Sequence, residues 1–255
     1  MTYLTHDGSF PGILSCVFYA YEHKLTDEVH ISRGNVLLPS LFVEKVKVET
    51  SPSKAQRVAD KVIAIAGKSK LKDLWRASLS EIPDIGTTIF EVIQLLIKND
   101  KQILMDYGHP AILKWIKVLK KISRERHRMT AFVRFELADD DTYYATIEPD
   151  FDVLPLIISH FKERYADQKW MIFDLKRNYG IYYDLNKVEV VEPTNDDNKE
   201  LPIFSIQLNT DEKEFQGLWK NYFHATGIKE RKNRRLHLRH VPKRYWRHLT
   251  EKQPA

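Results

Sequence analysis

Acidic residues and one lysine in the second half of the chain have the types and order found in some metal-dependent nucleases. Asp150 follows Pro149, and Asp174 is followed two positions later by Lys176. In such enzymes the carboxylates bind magnesium, and the lysine stabilises the attacking water or the transition state. So short a pattern also occurs by chance, and Asp150 or Asp152 equally fits as the N-cap of a following helix. Asp150, Asp174 and Lys176 are therefore candidate catalytic residues, with helix capping as the alternative.

Positive charge is concentrated towards the C-terminal end of the sequence. The 255-residue chain has a formal net charge of +5, but residues 219–252 contain eleven lysines and arginines against two acids. That segment carries +9, so the remainder carries −4. Basic residues attract phosphate backbones by releasing counterions, and interleaved aromatic side chains can stack on unpaired bases. The candidate nucleic-acid contacts here are Arg231, Arg234, Arg235, Lys243, Arg244, Tyr245 and Trp246.

Other roles for this basic segment stay open. It could be a solvated tail, although a disordered segment rarely contains two large aromatic residues such as Tyr245 and Trp246. Either aromatic residue could stack on a base or anchor the segment to the core, and anchoring is favoured because tryptophan is mostly buried. The segment could also bind an acidic protein surface, as part of a scaffold.

A second basic group runs from Arg124 to Arg128, where we expect a helix to end and a strand to begin. Cations near the C-terminus of a helix are favoured by its dipole, so these residues could be ordinary caps. Alternatively, Arg126 and Arg128 form a clamp for a phosphate or carboxylate group, with Glu125 orienting one of them. The sequence alone leaves both interpretations open.

Several other chemistries have no support in the sequence. It contains no nucleophile elbow, no Rossmann glycine fingerprint and no Walker A loop. Cys16 is the single cysteine, so it cannot form an internal disulfide or an iron–sulfur cluster, and its apolar neighbours predict a buried side chain. Residues 82–86 resemble a DNA-binding helical hairpin, but Asp84 replaces the expected glycine and favours a plain inter-helix turn.

The same survey sets expectations for cofactor and compartment. We expect no metal site and no cofactor of the chain's own, with Mg²⁺ required only under the nuclease alternative. The longest apolar stretch is too short for a membrane span, and the N-terminus lacks the features of a secretion signal. These features predict a cytoplasmic protein that does not bind membranes.

Hydropathy patterns predict an α+β fold, in which a helical cluster precedes a mainly antiparallel sheet and a basic C-terminal arm follows. We predict one domain over 1–255, with a mainly helical part (1–128), a sheet-rich part (129–209) and a final helix with the arm (210–255). Helices are predicted over 9–24, 51–67, 70–80, 87–97, 110–126, 152–165 and 211–226. Strands are predicted over 1–5, 42–49, 131–137, 142–148, 169–175, 179–184 and 185–192. The last helix is predicted to bury Phe215, Leu218, Trp219 and Tyr222.

Several segments, taken in order, resemble one known family. They are Asp7 to Phe10, Glu125 to Phe135, Ile147 to Asp150, Ala166 to Trp170, Tyr179 to Asp184 and Pro242 to Trp246. The chain resembles, over nearly its whole length, the bacterial family described as "probable DNA metabolism protein", which is built on a domain of unknown function. Members of that family are encoded beside a radical-SAM putative DNA modification or repair protein. Some relatives carry the domain fused to a uracil-DNA glycosylase-like domain.

The resemblance implies a role in DNA repair or modification without supplying a mechanism. We therefore expect a DNA-binding or accessory partner of a radical-SAM repair enzyme. The alternative is a metal-dependent nuclease, or another enzyme that acts on nucleic acid.

Overall fold

Helices dominate the first half of the chain and a mainly antiparallel five-stranded sheet forms in the second, which confirms the predicted α+β class. The computed structural model describes residues 2–25, 29–34, 44–193, 207–226 and 233–253. The chain divides into two units, Met1–Arg124 and Glu125–Ala255. No helix within these described ranges is long and apolar enough to cross a membrane.

The first unit combines a small parallel sheet with helices. Its strands are β1 (Thr2–His6), β2 (Val29–Arg33) and β3 (Glu44–Lys47), in the order β2-β1-β3. Its helices are α1 (Phe10–Glu22), α2 (Pro52–Ala66), α3 (Lys68–Ser78) and α4 (Ile85–Asn99), and α5 (Pro110–Phe132) begins here and ends in the second unit.

Capping residues explain where the first two long helices begin. The Ser9 hydroxyl accepts a hydrogen bond from the Gly12 amide at 3.0 Å, and α1 has proline in its first turn. The Ser51 hydroxyl accepts from the Lys54 amide in the same way at the start of α2. Cys16 lies fully buried on α1, and burial raises the pKa of its thiol to about 12. The prediction of a buried cysteine is therefore confirmed.

The second unit is built on the larger sheet, whose strand order is β4-β5-β6-β7-β8. The strands are β4 (Glu136–Leu137), β5 (Tyr143–Ile147), β6 (Trp170–Asp174), β7 (Tyr179–Tyr183) and β8 (Val188–Val191). The helices are α6 (Leu154–Arg164), α7 (Glu212–Ala225) and α8 (Arg234–His240), followed by 3₁₀ turns at Lys243–His248 and Thr250–Lys252. Strands β5 and β6 run parallel because α6 connects them, and the other pairs are antiparallel.

The predicted strand over 131–137 is wrong for its first residues, since α5 continues to Phe132 and β4 is only two residues long. Ile122, Glu125 and Met129 are all buried at spacings of three and four, which is the helical period. Burial of this stripe outweighs the local alternation of apolar and polar residues that favours a strand.

The predicted burial of the apolar face of α7 is also wrong. Phe215, Leu218 and Tyr222 are each more than half exposed, and Trp219 is 40% exposed. Polar contacts hold this helix instead, since the buried Glu212 accepts a hydrogen bond from the Leu137 amide at 3.0 Å.

We predict that Gly86→Ala destabilises the first unit by about 1–3 kcal/mol, because overpacking forces backbone shifts. A Cβ atom at Gly86 would lie 2.6 Å from the backbone oxygen of Ile31, against which the start of α4 packs. Urea unfolding followed by circular dichroism measures the effect. Gly217→Ala is the control, since its Cβ would meet nothing within 4 Å, and it should stabilise α7 by up to about 1 kcal/mol. Equal effects of the two substitutions would contradict the packing argument.

Candidate functional site

A buried carboxylate, Glu125 on α5, organises the second unit near the end of the chain. Only 2% of its side chain is exposed. Its Oε1 accepts hydrogen bonds from the Tyr245 hydroxyl at 2.5 Å and from the Asp150 amide at 2.8 Å. Burial, together with this carboxylate, raises the pKa of Tyr245. A buried charge is costly unless it is paired and hydrogen-bonded, so Glu125 depends on these distant partners.

Two arginines complete the surroundings of Glu125. Arg128 lies one helical turn further along α5, with a guanidinium nitrogen 3.5 Å from Glu125 Oε2. Arg244 Nη2 lies 3.8 Å from the same oxygen and 2.7 Å from Asp150 Oδ2. The Arg244 guanidinium also lies 4.6 Å from the centre of the Tyr245 ring. Since 43% of its side chain is exposed, Arg244 remains accessible to an anionic ligand while these contacts fix its position.

The three candidate catalytic residues lie close together and make contacts within the fold. Asp174 is fully buried, pairs with Arg177 at 2.8 Å, and accepts a hydrogen bond from the Lys176 amide at 2.9 Å. Lys176 Nζ donates to the backbone oxygen of Asp150 at 2.9 Å. Among the described residues, no group of three His, Cys, Asp or Glu side chains is placed to hold a metal ion. These contacts stabilise the loop that carries Asp150.

The capping alternative for the acidic cluster is wrong. The N-cap of α6 is Val153, and no side chain caps that helix end. Asp152 instead accepts a hydrogen bond from the Tyr179 hydroxyl at 2.6 Å. Burial, followed by the Asp152 charge, raises the pKa of Tyr179.

Residues 233–253, which we call the basic arm, are anchored to the second unit by buried aromatic and aliphatic side chains. Tyr245 is 1% exposed, its ring centre lies 5.3 Å from that of Phe132, and Leu249 is equally buried. Trp246 is half-buried, and its indole nitrogen donates to the Val241 backbone oxygen at 3.1 Å. Tyr245 is thus an anchor, and its buried ring offers no face on which a base could stack.

The anchored arm exposes cations along its length. It contains seven lysines and arginines against a single acid, Glu251. A guanidinium nitrogen of Arg134 lies 2.8 Å from the Glu251 carboxylate. This ion pair offsets the negative charge that would otherwise repel an anionic ligand. The exposed cations are Arg234, Arg235, Arg239, Lys243, Arg244 and Arg247. Arg231, the remaining predicted contact, lies outside the described residues.

The basic group on α5 does not lie at a helix end, which contradicts the capping interpretation. Because α5 ends at Phe132, Arg126 and Arg128 lie inside the helix, and C-terminal capping does not explain them. Residues two apart on an α-helix point about 200° apart, so these two arginines start on different sides of α5. Glu125 does orient one of them, Arg128, and the exposed Arg126 lies on another side of the helix.

His248 is a feature that sequence reasoning missed. Its Nδ1 lies 3.2 Å from Thr146 Oγ1 and its Nε2 lies 3.3 Å from Glu148 Oε2, while Arg247 also pairs with Glu148. Burial and the neighbouring Arg247 cation lower the pKa of His248 to about 4. The imidazole is therefore neutral at pH 7 and attaches the arm to β5. The signal in the sequence is the two-residue spacing of Thr146, in β5, and Glu148, just after it, because this is the period of a strand.

Residues 83–251 match the model of a family described as a domain of unknown function, DUF4130. The match covers about two thirds of the chain and includes α5, the Asp150 loop and nearly all of the basic arm. No curated protein matches the chain.

We predict that Tyr245→Phe lowers the free energy of unfolding of the second unit by about 1–2 kcal/mol, because it removes a hydrogen bond to a buried carboxylate. Chemical denaturation measures this loss. Tyr222→Phe is the matched control, since Tyr222 is 60% exposed, and we expect a change within about 0.5 kcal/mol. If both variants lose the same free energy of unfolding, the hydrogen bond from Tyr245 to Glu125 does not anchor the arm.

Proposed function

This chain belongs to the DUF4130 family, and we propose that it acts in DNA metabolism by binding nucleic acid through the basic arm. One observation carries the proposal: the arm is fixed to the second unit by buried Tyr245 and Leu249, while its cations remain exposed. A fixed array of cations loses less conformational freedom on binding than a disordered tail does. The arrangement therefore suits a ligand that presents several phosphates.

The chemistry of the arm favours recognition of a phosphate backbone over recognition of a base sequence. Arginine and lysine contacts to phosphates position a nucleic acid and carry no sequence information directly. Arg234, Arg235 and Arg239 lie on one short helix, and Lys243 and Arg244 follow in the adjoining turn. Binding should therefore depend strongly on salt and weakly on sequence.

A partner would supply the chemical step. In this proposal the arm positions nucleic acid, and the candidate catalytic Asp174 is engaged by Arg177. The resemblance to the "probable DNA metabolism protein" family suggests a radical-SAM repair or modification protein as this partner. The same resemblance implies that some relatives carry a uracil-DNA glycosylase-like domain. We therefore propose an accessory role, in which this protein holds DNA for a reaction on the partner.

We predict that the double substitution Arg234→Glu and Arg235→Glu weakens binding to a fluorescently labelled DNA oligonucleotide at low salt. The slope of log affinity against log salt should fall by about 0.9 for each phosphate that the variant no longer neutralises. Fluorescence anisotropy over a salt series measures both quantities, and recovery of intact DNA with and without Mg²⁺ reports on the nuclease alternative.

Lys61→Glu with Lys72→Glu is the matched control, because it changes the net charge equally at exposed positions of α2 and α3. Its affinity should exceed that of the arm variant, and its salt slope should stay near that of the unsubstituted protein. Equal losses in the two double variants would show that net charge, and not the arm, determines binding. Unchanged DNA affinity of the arm variant would show that the arm does not contact the DNA.

A further inference from the structure

Helix α7 presents an exposed apolar face in the second unit. Its members are spaced three and four residues apart, so they lie on one side of the helix. They are Phe215, Leu218, Trp219 and Tyr222, which we call the aromatic face, and each is at least 40% exposed. Large contiguous apolar surfaces are rarely exposed on soluble proteins, and those that are exposed mark binding sites. This face is therefore a candidate site for a ligand or partner.

The basic arm lies directly beside the aromatic face. Helix α7 packs against the last 3₁₀ turn of the arm, and the Trp219 indole nitrogen donates to Glu251 Oε2 at 3.0 Å. Lys252 Nζ lies 4.3 Å from the centre of the Phe223 ring on α7 and 5.8 Å from the centre of the Trp246 ring in the arm. These shared contacts join the aromatic side chains of α7 and the cations of the arm into one surface.

Cations lie against the aromatic rings of this joined surface. The Arg134 guanidinium, which also pairs with Glu251, lies 5.5 Å from the centre of the Trp219 ring. Lys243 Nζ lies 6.0 Å from the centre of the Trp246 ring. The core of a protein–protein interface is depleted in charged residues, whereas surfaces that bind single-stranded nucleic acid combine cations with aromatic rings. The combination favours a nucleic acid over a protein as the occupant.

The acids of α7 lie at the start of the helix. Asp211 and Glu214 are exposed there, next to Phe215, while Glu212 is buried. The arm instead approaches Trp219 and the residues that follow it on α7. The acids repel phosphates from the first turn of α7, so a bound strand should run its phosphates along the arm and lay its bases over the helix.

The aromatic face has the size of a short run of bases. Phe215 and Tyr222 are seven residues apart, which is about 10 Å along the axis of an α-helix. That length corresponds to about three nucleotides at the spacing of stacked bases. An aromatic ring can stack on any base, provided that the base is unpaired and its face is accessible. In a duplex the bases already stack on one another, so the face can distinguish single strands from duplexes.

We propose that the aromatic face binds the unpaired bases of single-stranded DNA while the basic arm holds its phosphates. This inference rests on the proposed function, and it names the form of DNA that the protein takes. The cations of the arm alone would bind either form, because both present phosphates. The added selectivity for a single strand comes from Phe215, Trp219 and Tyr222.

Fluorescence anisotropy on the full chain tests the proposal with a labelled oligothymidylate and a labelled duplex of the same length. Physiological salt is used, since binding to phosphates alone is weak there. The single strand should bind about tenfold more tightly than the duplex, because stacking contributes only when the bases are unpaired. Equal affinity for the two forms, or tighter binding of the duplex, would overturn the inference.

Substitutions locate the stacking. Phe215→Ala with Tyr222→Ala removes two exposed rings and should weaken single-strand binding about tenfold, with little effect on the duplex. Tyr222→Phe keeps the ring and should bind normally. Met105→Ala with Tyr107→Ala is the matched control, since it removes exposed apolar side chains from the first unit and should not change binding. Unchanged single-strand affinity in the α7 double variant, or an equal loss in the control, would overturn the assignment.

Failure of this inference is distinguishable from failure of the proposed function. If the Arg234→Glu and Arg235→Glu variant loses both forms of DNA and the α7 double variant loses neither, the arm binds DNA and the role of α7 is wrong. If the unsubstituted chain binds neither form even at low salt, the proposed function is wrong as well. Analytical ultracentrifugation tests the other occupant: a dimer that the α7 double variant converts to a monomer would show that a second copy covers the face, which would overturn the inference.

Discussion

The buried carboxylate of Glu125 is the constraint on which the arrangement of the second unit depends. A carboxylate that is removed from water needs hydrogen-bond donors or cations as partners. Without them, the free-energy cost of its desolvation exceeds the stabilisation that burial provides. Glu125 takes its donors from Asp150 and Tyr245, which are 25 and 120 positions away in the sequence. One side chain on α5 thereby fixes both the Asp150 loop and the C-terminal arm. Arg244, next to Tyr245, is held between the two carboxylates and still faces solvent.

Because the arm is anchored, its positive charge is held at a defined place on the second unit. The overall charge of +5 conceals an arm with seven cations and one acid, in which Tyr245 is buried and six of the cations are exposed. The arm of the second unit carries a row of exposed cations, whereas the first unit has a partly open cavity at the carboxyl end of its parallel sheet.

Local signals predicted much of this fold. The caps at Ser9 and Ser51, the helical spacing of apolar residues and the period-two pattern of β5 to β7 are all properties of short segments, and each was found close to its predicted place. The predictions that were wrong concern residues whose burial or exposure depends on distant parts of the chain. Met129 extends α5 into a segment that alternates like a strand, and α7 leaves its apolar stripe exposed. The network around Glu125 and the neutral His248 depend on partners about 100 residues away, which no local pattern reveals.

Hydrogen–deuterium exchange of the full chain, with and without a DNA oligonucleotide, tests the central claim most directly. If the anchored arm binds nucleic acid, peptides from residues 234–248 should exchange more slowly when DNA is present, while peptides from α2 stay unchanged. Protection that is confined to the first unit, or absent from the arm while DNA is bound, would contradict the account.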